Sequence, residues 1–196
     1  MHHPEVQAMF DLLARLVMDG RTGVLLALLA IAAIIDYRTR RIPNWLVLGG
    51  AIYGLVYTVV FPPIMHGNAL FPLGGFIVGF GLFLPLYLMR ALGAGDVKLF
   101  AMVGTFLGPL DTFYSALATG ITGGALTVLW AVWHGKALRV VQNIAGLIQF
   151  GPLSAVAGAP AGLRIASGGA LGKLPYGVAI ALGTGGYLTF HQLGFV

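Results

Sequence analysis

Cysteine is absent from the 196 residues. That removes disulfides, a thiolate nucleophile and thiolate-held zinc or iron–sulfur centres, and leaves the redox compartment unread. Charge is scarce as well: charged residues make up 9% of the chain, against roughly a quarter in ordinary soluble domains. Hydrophobic residues make up 58% and the mean hydropathy is +0.91, so the solvent for most of this chain is lipid. A bilayer crossing takes about 20 residues, which leaves room for several crossings and for no large domain beside them. The expectation is one membrane domain over residues 1–196. The net charge of +5 reads as membrane orientation and headgroup contact rather than nucleic-acid binding, for which nothing else in the sequence speaks. Glu5, Asp11 and Asp19 precede the first apolar run, unlike the basic start of a signal peptide, so that run is expected to stay as an anchor.

Charge-poor stretches predict six spans, at 22–35, 45–61, 67–89, 97–110, 112–133 and 175–190. The expected fold class is all-α, a polytopic bundle of about six transmembrane helices. The first and fourth stretches are short, about 21 Å of helix against a hydrocarbon core of about 30 Å, so each must extend past its charged end or lie in a thinned or solvated pocket. Arg38, Arg40, Arg41, Arg90, Lys98, Lys136, Arg139, Arg164 and Lys173 fall on one side in this arrangement and Arg15 and Arg21 on the other. Positively charged loops stay cytoplasmic. Both termini are then expected on the periplasmic side of a bacterial inner membrane.

The segment 134–174 is expected to be a cytoplasmic or interfacial loop. Within it, residues 140–163 admit a seventh span, but Val140, Val141, Ile144, Leu147 and Ile148 repeat at helical spacing opposite Arg139, Gln142, Asn143 and Gln149, which favours a helix lying in the interface. Ser154–Gly172 is rich in Gly, Ala, Ser and Pro and reads as a loop. Small-residue patches at Gly120–Ala125 and Gly183–Gly186 are expected to let helices approach closely.

With only six acidic residues, each position carries weight. Asp111 is expected in the link between the fourth and fifth spans, whereas Asp36 and Asp96 abut apolar runs on one membrane side, where an ionisable group is costly and a candidate for function. Two carboxylates brought together in a low dielectric do not both ionise readily, and share a proton. Such a pair hydrolyses peptides: one carboxylate takes a proton from the attacking water while the other, protonated, polarises the scissile carbonyl. The structural alternative is a pair of interfacial acids bridging to Arg38, Arg40 or Lys98, or capping helices.

Local context favours chemistry. Asp96 stands in Gly93-Ala94-Gly95-Asp96-Val97-Lys98-Leu99, where the glycines are expected to let the backbone approach a substrate and to adopt angles closed to other residues. Asp36 precedes Tyr37-Arg38-Thr39-Arg40-Arg41-Ile42-Pro43-Asn44, a basic turn expected to hold the first two spans antiparallel, with Asn44 capping the second. Lys98 reads as an interfacial anchor or as a charge tuning Asp96. His66, His134 and His191 are scattered, with no carboxylate at ligand spacing, so no metal site is expected. Trp45, Trp130 and Trp133 fall near span ends, where indoles sit at headgroup level. A proton-coupled transporter using the two acids as a relay is the alternative from another class, although transport sites lie near the bilayer midplane.

The Gly93–Leu99 stretch resembles the GxGD signature of the aspartic prepilin peptidases. Asp36 with Ile42-Pro43-Asn44 is similar to the first catalytic block of that family, and Leu174-Pro175-Tyr176-Gly177-Val178-Ala179-Ile180-Ala181 resembles the segment opening its last span. The resemblance implies a membrane aspartic endopeptidase that removes the basic leader from type IV prepilins and pseudopilins at the cytoplasmic face. It implies Asp36 and Asp96 as the catalytic pair, with Gly93, Gly95, Lys98, Pro43 and Asn44 as supporting motif residues, and no cofactor or metal. Larger members carry a paired-cysteine region associated with N-methylation. This chain has none, so methyltransferase activity is not expected. It looks like the compact form serving tight-adherence (Flp-type) pili, with preflagellin and type II secretion peptidases as near neighbours.

Overall fold

The computed structural model describes residues 20–60, 70–88, 91–133 and 175–193. Among these residues the secondary structure is six helices and no strand: α1 Gly20–Thr39, α2 Asn44–Val60, α3 Leu70–Leu88, α4 Ala94–Leu107, α5 Pro109–Trp133 and α6 Tyr176–Gln192. The protein is an all-α membrane bundle. By length and apolar composition α1, α3 and α5 are each able to cross a bilayer. The expectation for residues 134–174, including the interfacial helix, lies outside the described residues. So do Arg90, His66, His134, Glu5, Asp11 and Asp19.

The two short stretches resolve differently. α1 runs 20 residues, through Asp36 and on to Thr39, so the acid belongs to the helix and not to a loop beyond it. The helix stops where Arg40 takes φ 55°, a left-handed turn that costs a non-glycine residue about 1–2 kcal/mol. The Arg40 N–H donates to the Asp36 carbonyl at 2.9 Å, closing the last turn. α4 begins three residues earlier than the apolar run and keeps only 14 residues, about 21 Å.

That short helix is the central post of the bundle. It contacts each of the other five helices, and every residue from Leu99 to Leu107 is buried. Its buried large side chains include Phe100, Met102 and Phe106. In lipid, this burial is favoured by close packing rather than by escape from water. Against α3 the packing is backbone to backbone: a Cβ placed on Gly75 would strike the Gly104 carbonyl, and one on Gly104 would strike that of Gly75. A Cβ on Gly79 would lie 2.7 Å from the Phe100 carbonyl oxygen. Higher up this interface, Phe83 stacks on Phe100 at 4.1 Å.

α4 ends at Gly108, whose φ of 83° lies in the range that favours glycine, and α5 starts at the next residue. Asp111, expected in a link, therefore sits in the first turn of α5, where an acid suits the helix dipole. Its carboxylate accepts from the Tyr187 hydroxyl at 2.9 Å. From there α5 and α6 run antiparallel along a seam of small residues. Ser115 and Thr184 share a hydrogen bond at 3.0 Å, and Gly183 lies against the backbone of Thr119. The small-residue patches are thus only partly used. Gly183 and Gly123 meet neighbours, whereas Gly120, Gly124 and Gly186 face open space.

Candidate active site

Three helix ends meet at one end of the bundle: the close of α1, the start of α4 and the start of α6. Asp36 is 6% exposed, on the last full turn of α1. The Gly177 N–H, at the start of α6, donates to its Oδ2 at 2.8 Å. This N–H belongs to the first turn of a helix, where backbone donors have no partner within the helix and favour negative charge. The positive charge of Arg40 also reaches Asp36. A Cβ on Gly177 would lie 2.9 Å from that oxygen and 3.0 Å from the Asp36 Cβ, so the absence of a side chain at 177 is what lets the backbone reach the carboxylate.

Asp96 is half-buried, at the third position of α4, and its Oδ2 accepts from the Gly93 N–H at 2.9 Å. That bond orients the carboxylate at the N-terminus of the central helix. The two aspartates lie within electrostatic reach of each other, so the fold brings together the two acids singled out in the sequence.

The supporting residues behave less uniformly. Gly93 takes φ −81°, ψ 155°, an extended conformation open to any residue, so the expectation that this glycine supplies a forbidden angle is corrected. Space decides instead: a Cβ on Gly93 would come within 3.2 Å of the Asp96 Oδ2, and one on Gly95 within 3.2 Å of the Ile42 Cβ. Ile42 and Pro43 are half-buried beside the turn. Asn44 opens α2, and its Oδ1 accepts from the Lys98 ammonium at 3.1 Å, where a capping role was expected. Lys98 thereby ties α4 to α2. α1 and α2 leave the turn antiparallel, as the Leu28 side chain against Gly50 and the Tyr57 hydroxyl beside Gly20 require.

The sequence marks Tyr176 only as part of the third block. Its ring edges onto Phe83 at 6.4 Å between centroids, and its hydroxyl lies within electrostatic reach of Asp96. Gly177 was equally unmarked as a ligand of Asp36. The signal available was that the third block starts a helix, whose first amides are open donors.

A buried carboxylate held by a helix-start amide, with a second carboxylate within its electrostatic reach, thus sits at one end of the apolar bundle of an integral membrane protein. Residues 23–128 match the type IV leader peptidase family. That is more than half of the chain, which belongs to this family, and is a peptidase acting on prepilin-type substrates. The match spans both aspartates and stops before α6. Neither the curated proteins nor the solved structures gave a match.

Proposed function

We propose that the chain is an aspartic endopeptidase cleaving the basic leader of Flp-type prepilins at the cytoplasmic face of a bacterial inner membrane, with Asp36 and Asp96 as the catalytic pair. The observation that carries this reading is the meeting of the two acids at one end of the bundle, each with a carboxylate oxygen held by a backbone N–H. The pair takes part in hydrolysis as follows. One carboxylate removes a proton from water as its oxygen bonds to the scissile carbonyl carbon; the other, protonated, donates to the carbonyl oxygen. The carbon–nitrogen bond then breaks as the leaving nitrogen takes a proton from the dyad and a hydroxyl of the tetrahedral intermediate gives one back, which forms the new carboxyl group and returns the dyad to its starting state.

The cytoplasmic placement rests on charge. Arg38, Arg40, Arg41 and Lys98 lie at the end that holds the acids, while Arg21, packed over Phe71 at 5.7 Å, lies at the other, and basic ends stay in the cytoplasm. The chain is multi-pass on this reading, and its arginines anchor it to headgroups rather than clamp a leader that is itself basic. No cofactor enters the mechanism, and methyl transfer to the product is not part of it.

Co-expression with an Flp-type prepilin tests the proposal. The wild-type chain is expected to convert the prepilin to a faster-migrating product, and the double variant with asparagine at both aspartate positions is expected to leave it intact. The apolar helix of the prepilin is expected to dock laterally from the bilayer, so a soluble leader peptide lacking that helix should be cut at least tenfold more slowly. Equal rates would remove lateral docking.

Gly177→Ala supplies a sharper check on the geometry. The added methyl displaces Asp36 and strips a buried carboxylate of its donor, a loss of about 1–3 kcal/mol in that interaction. Cleavage in detergent should fall at least tenfold while the bundle remains helical by circular dichroism. Full activity in this variant would show that the α6 amide plays no part in holding Asp36.

A further inference from the structure

The start of α6 reaches both acids. Its Gly177 N–H binds Asp36, and the residue before it, Tyr176, lies within electrostatic reach of Asp96. The ring is held on two sides. A Cβ on Gly123 of α5 would lie 2.8 Å from the Tyr176 hydroxyl oxygen and 2.9 Å from its Cε2, so the phenol tip rests in a notch that only glycine leaves open. On another side the ring meets the edge of Phe83, which itself stacks on Phe100. Phe100 stands four residues after Asp96 and so on the same face of α4. The aromatic run Tyr176–Phe83–Phe100 thus ends on the helix that carries Asp96.

The two carboxylates take their hydrogen bonds from backbone N–H groups, not from the Tyr176 hydroxyl. No protein group among the described residues makes a hydrogen bond with it, Asp96 included. The side chain as a whole is half-buried. Here it is fixed by packing beside the acids without being bonded to either.

We propose that the Tyr176 hydroxyl is a third catalytic group, donating a hydrogen bond to the scissile carbonyl oxygen as that oxygen gains negative charge in the tetrahedral intermediate. The inference rests on the aspartic peptidase reading above. The phenol transfers no proton: it stays O–H throughout, while proton movements remain with the dyad. A donor fixed beforehand in a low-dielectric site, aimed where charge develops, is among the most effective devices available to an enzyme.

The test is Tyr176→Phe, which preserves the ring in the Gly123 notch and against Phe83. Cleavage of a full-length prepilin in detergent should lose about a hundredfold in kcat, with KM within about twofold, because the bond forms with the intermediate rather than the bound substrate. A leader-derived peptide carrying a hydroxyl-bearing tetrahedral isostere at the scissile bond should bind the variant weaker by a similar factor. Gly123→Ala keeps the hydroxyl and moves it, and should reproduce the loss; it carries the test if Tyr176→Phe does not fold. Activity within about threefold of wild type in the folded variant overturns the proposal, as does a loss of activity with unchanged isostere affinity. Asp96→Asn in the same assay separates the two claims. If it cuts, the peptidase mechanism itself fails; if it is dead while Tyr176→Phe is active, only the tyrosine is removed.

Discussion

Asp36→Asn and Asp96→Asn are each expected to lower prepilin cleavage about a thousandfold or more. The substitution is close to isosteric and keeps a side-chain oxygen. That oxygen can still accept the Gly177 N–H in the first variant and the Gly93 N–H in the second, the two bonds that fix these side chains. What vanishes is the ability to hold and release a proton, which the mechanism demands of both members. Loss of cleavage should therefore come with little change in thermal stability. A rate assay on purified protein, paired with a melting curve in the same detergent, makes the distinction. If either single variant kept more than a tenth of wild-type activity, the shared-proton mechanism would be untenable.

The largest effect on stability is expected at the crossing of α3 and α4. Alanine at Gly75 or Gly104 places a methyl on the facing helix's carbonyl, and backbone yields only by moving the helices apart. Overpacking of this kind costs about 1–3 kcal/mol and sometimes more, and here it also undoes the packing around the helix that carries Asp96. Either variant is expected to melt well below wild type and to lose activity with it. The double variant should cost less than the sum, since a crossing already forced open by one methyl accommodates the second. Gly120→Ala and Gly124→Ala are the matched controls. Nothing lies within 4 Å of a Cβ at either site, and alanine favours helix over glycine by up to about 1 kcal/mol. These controls should hold or raise the melting temperature, measured by circular dichroism. Comparable losses at all four positions would mean that the crossing is not what glycine protects.

Hydropathy located all six described helices, because long apolar runs broken by charge are a one-dimensional signal. It misplaced the ends of α1 and α4 because both helices continue into polar residues whose partners come from elsewhere: Asp36 is satisfied by Gly177, 141 positions away. No local pattern carries that bond. The pair Asp36 and Asp96 was legible, since intramembrane acids are few enough to weigh singly. The role of the glycines was misjudged in kind, from backbone angle to space, because the sequence does not reveal which neighbour crowds a position. One signal was overlooked. Gly75 and Gly79 on α3, and Gly104 and Gly108 on either side of the α4 terminus, each stand four apart, a spacing known for close helix crossings. The denser patches at 120–125 and 183–186 are only partly used in packing.

The amide that holds Asp36 comes from α6, long after both acids have been synthesised. A nascent chain in which α1 to α5 have entered the bilayer possesses both carboxylates yet lacks the amide that steadies one of them. If Asp36 is catalytic as proposed, full proteolytic competence arrives late in biogenesis, with the insertion of α6. On the proposed mechanism the enzyme has in effect a built-in delay, with full cutting of prepilins reserved for the assembled bundle.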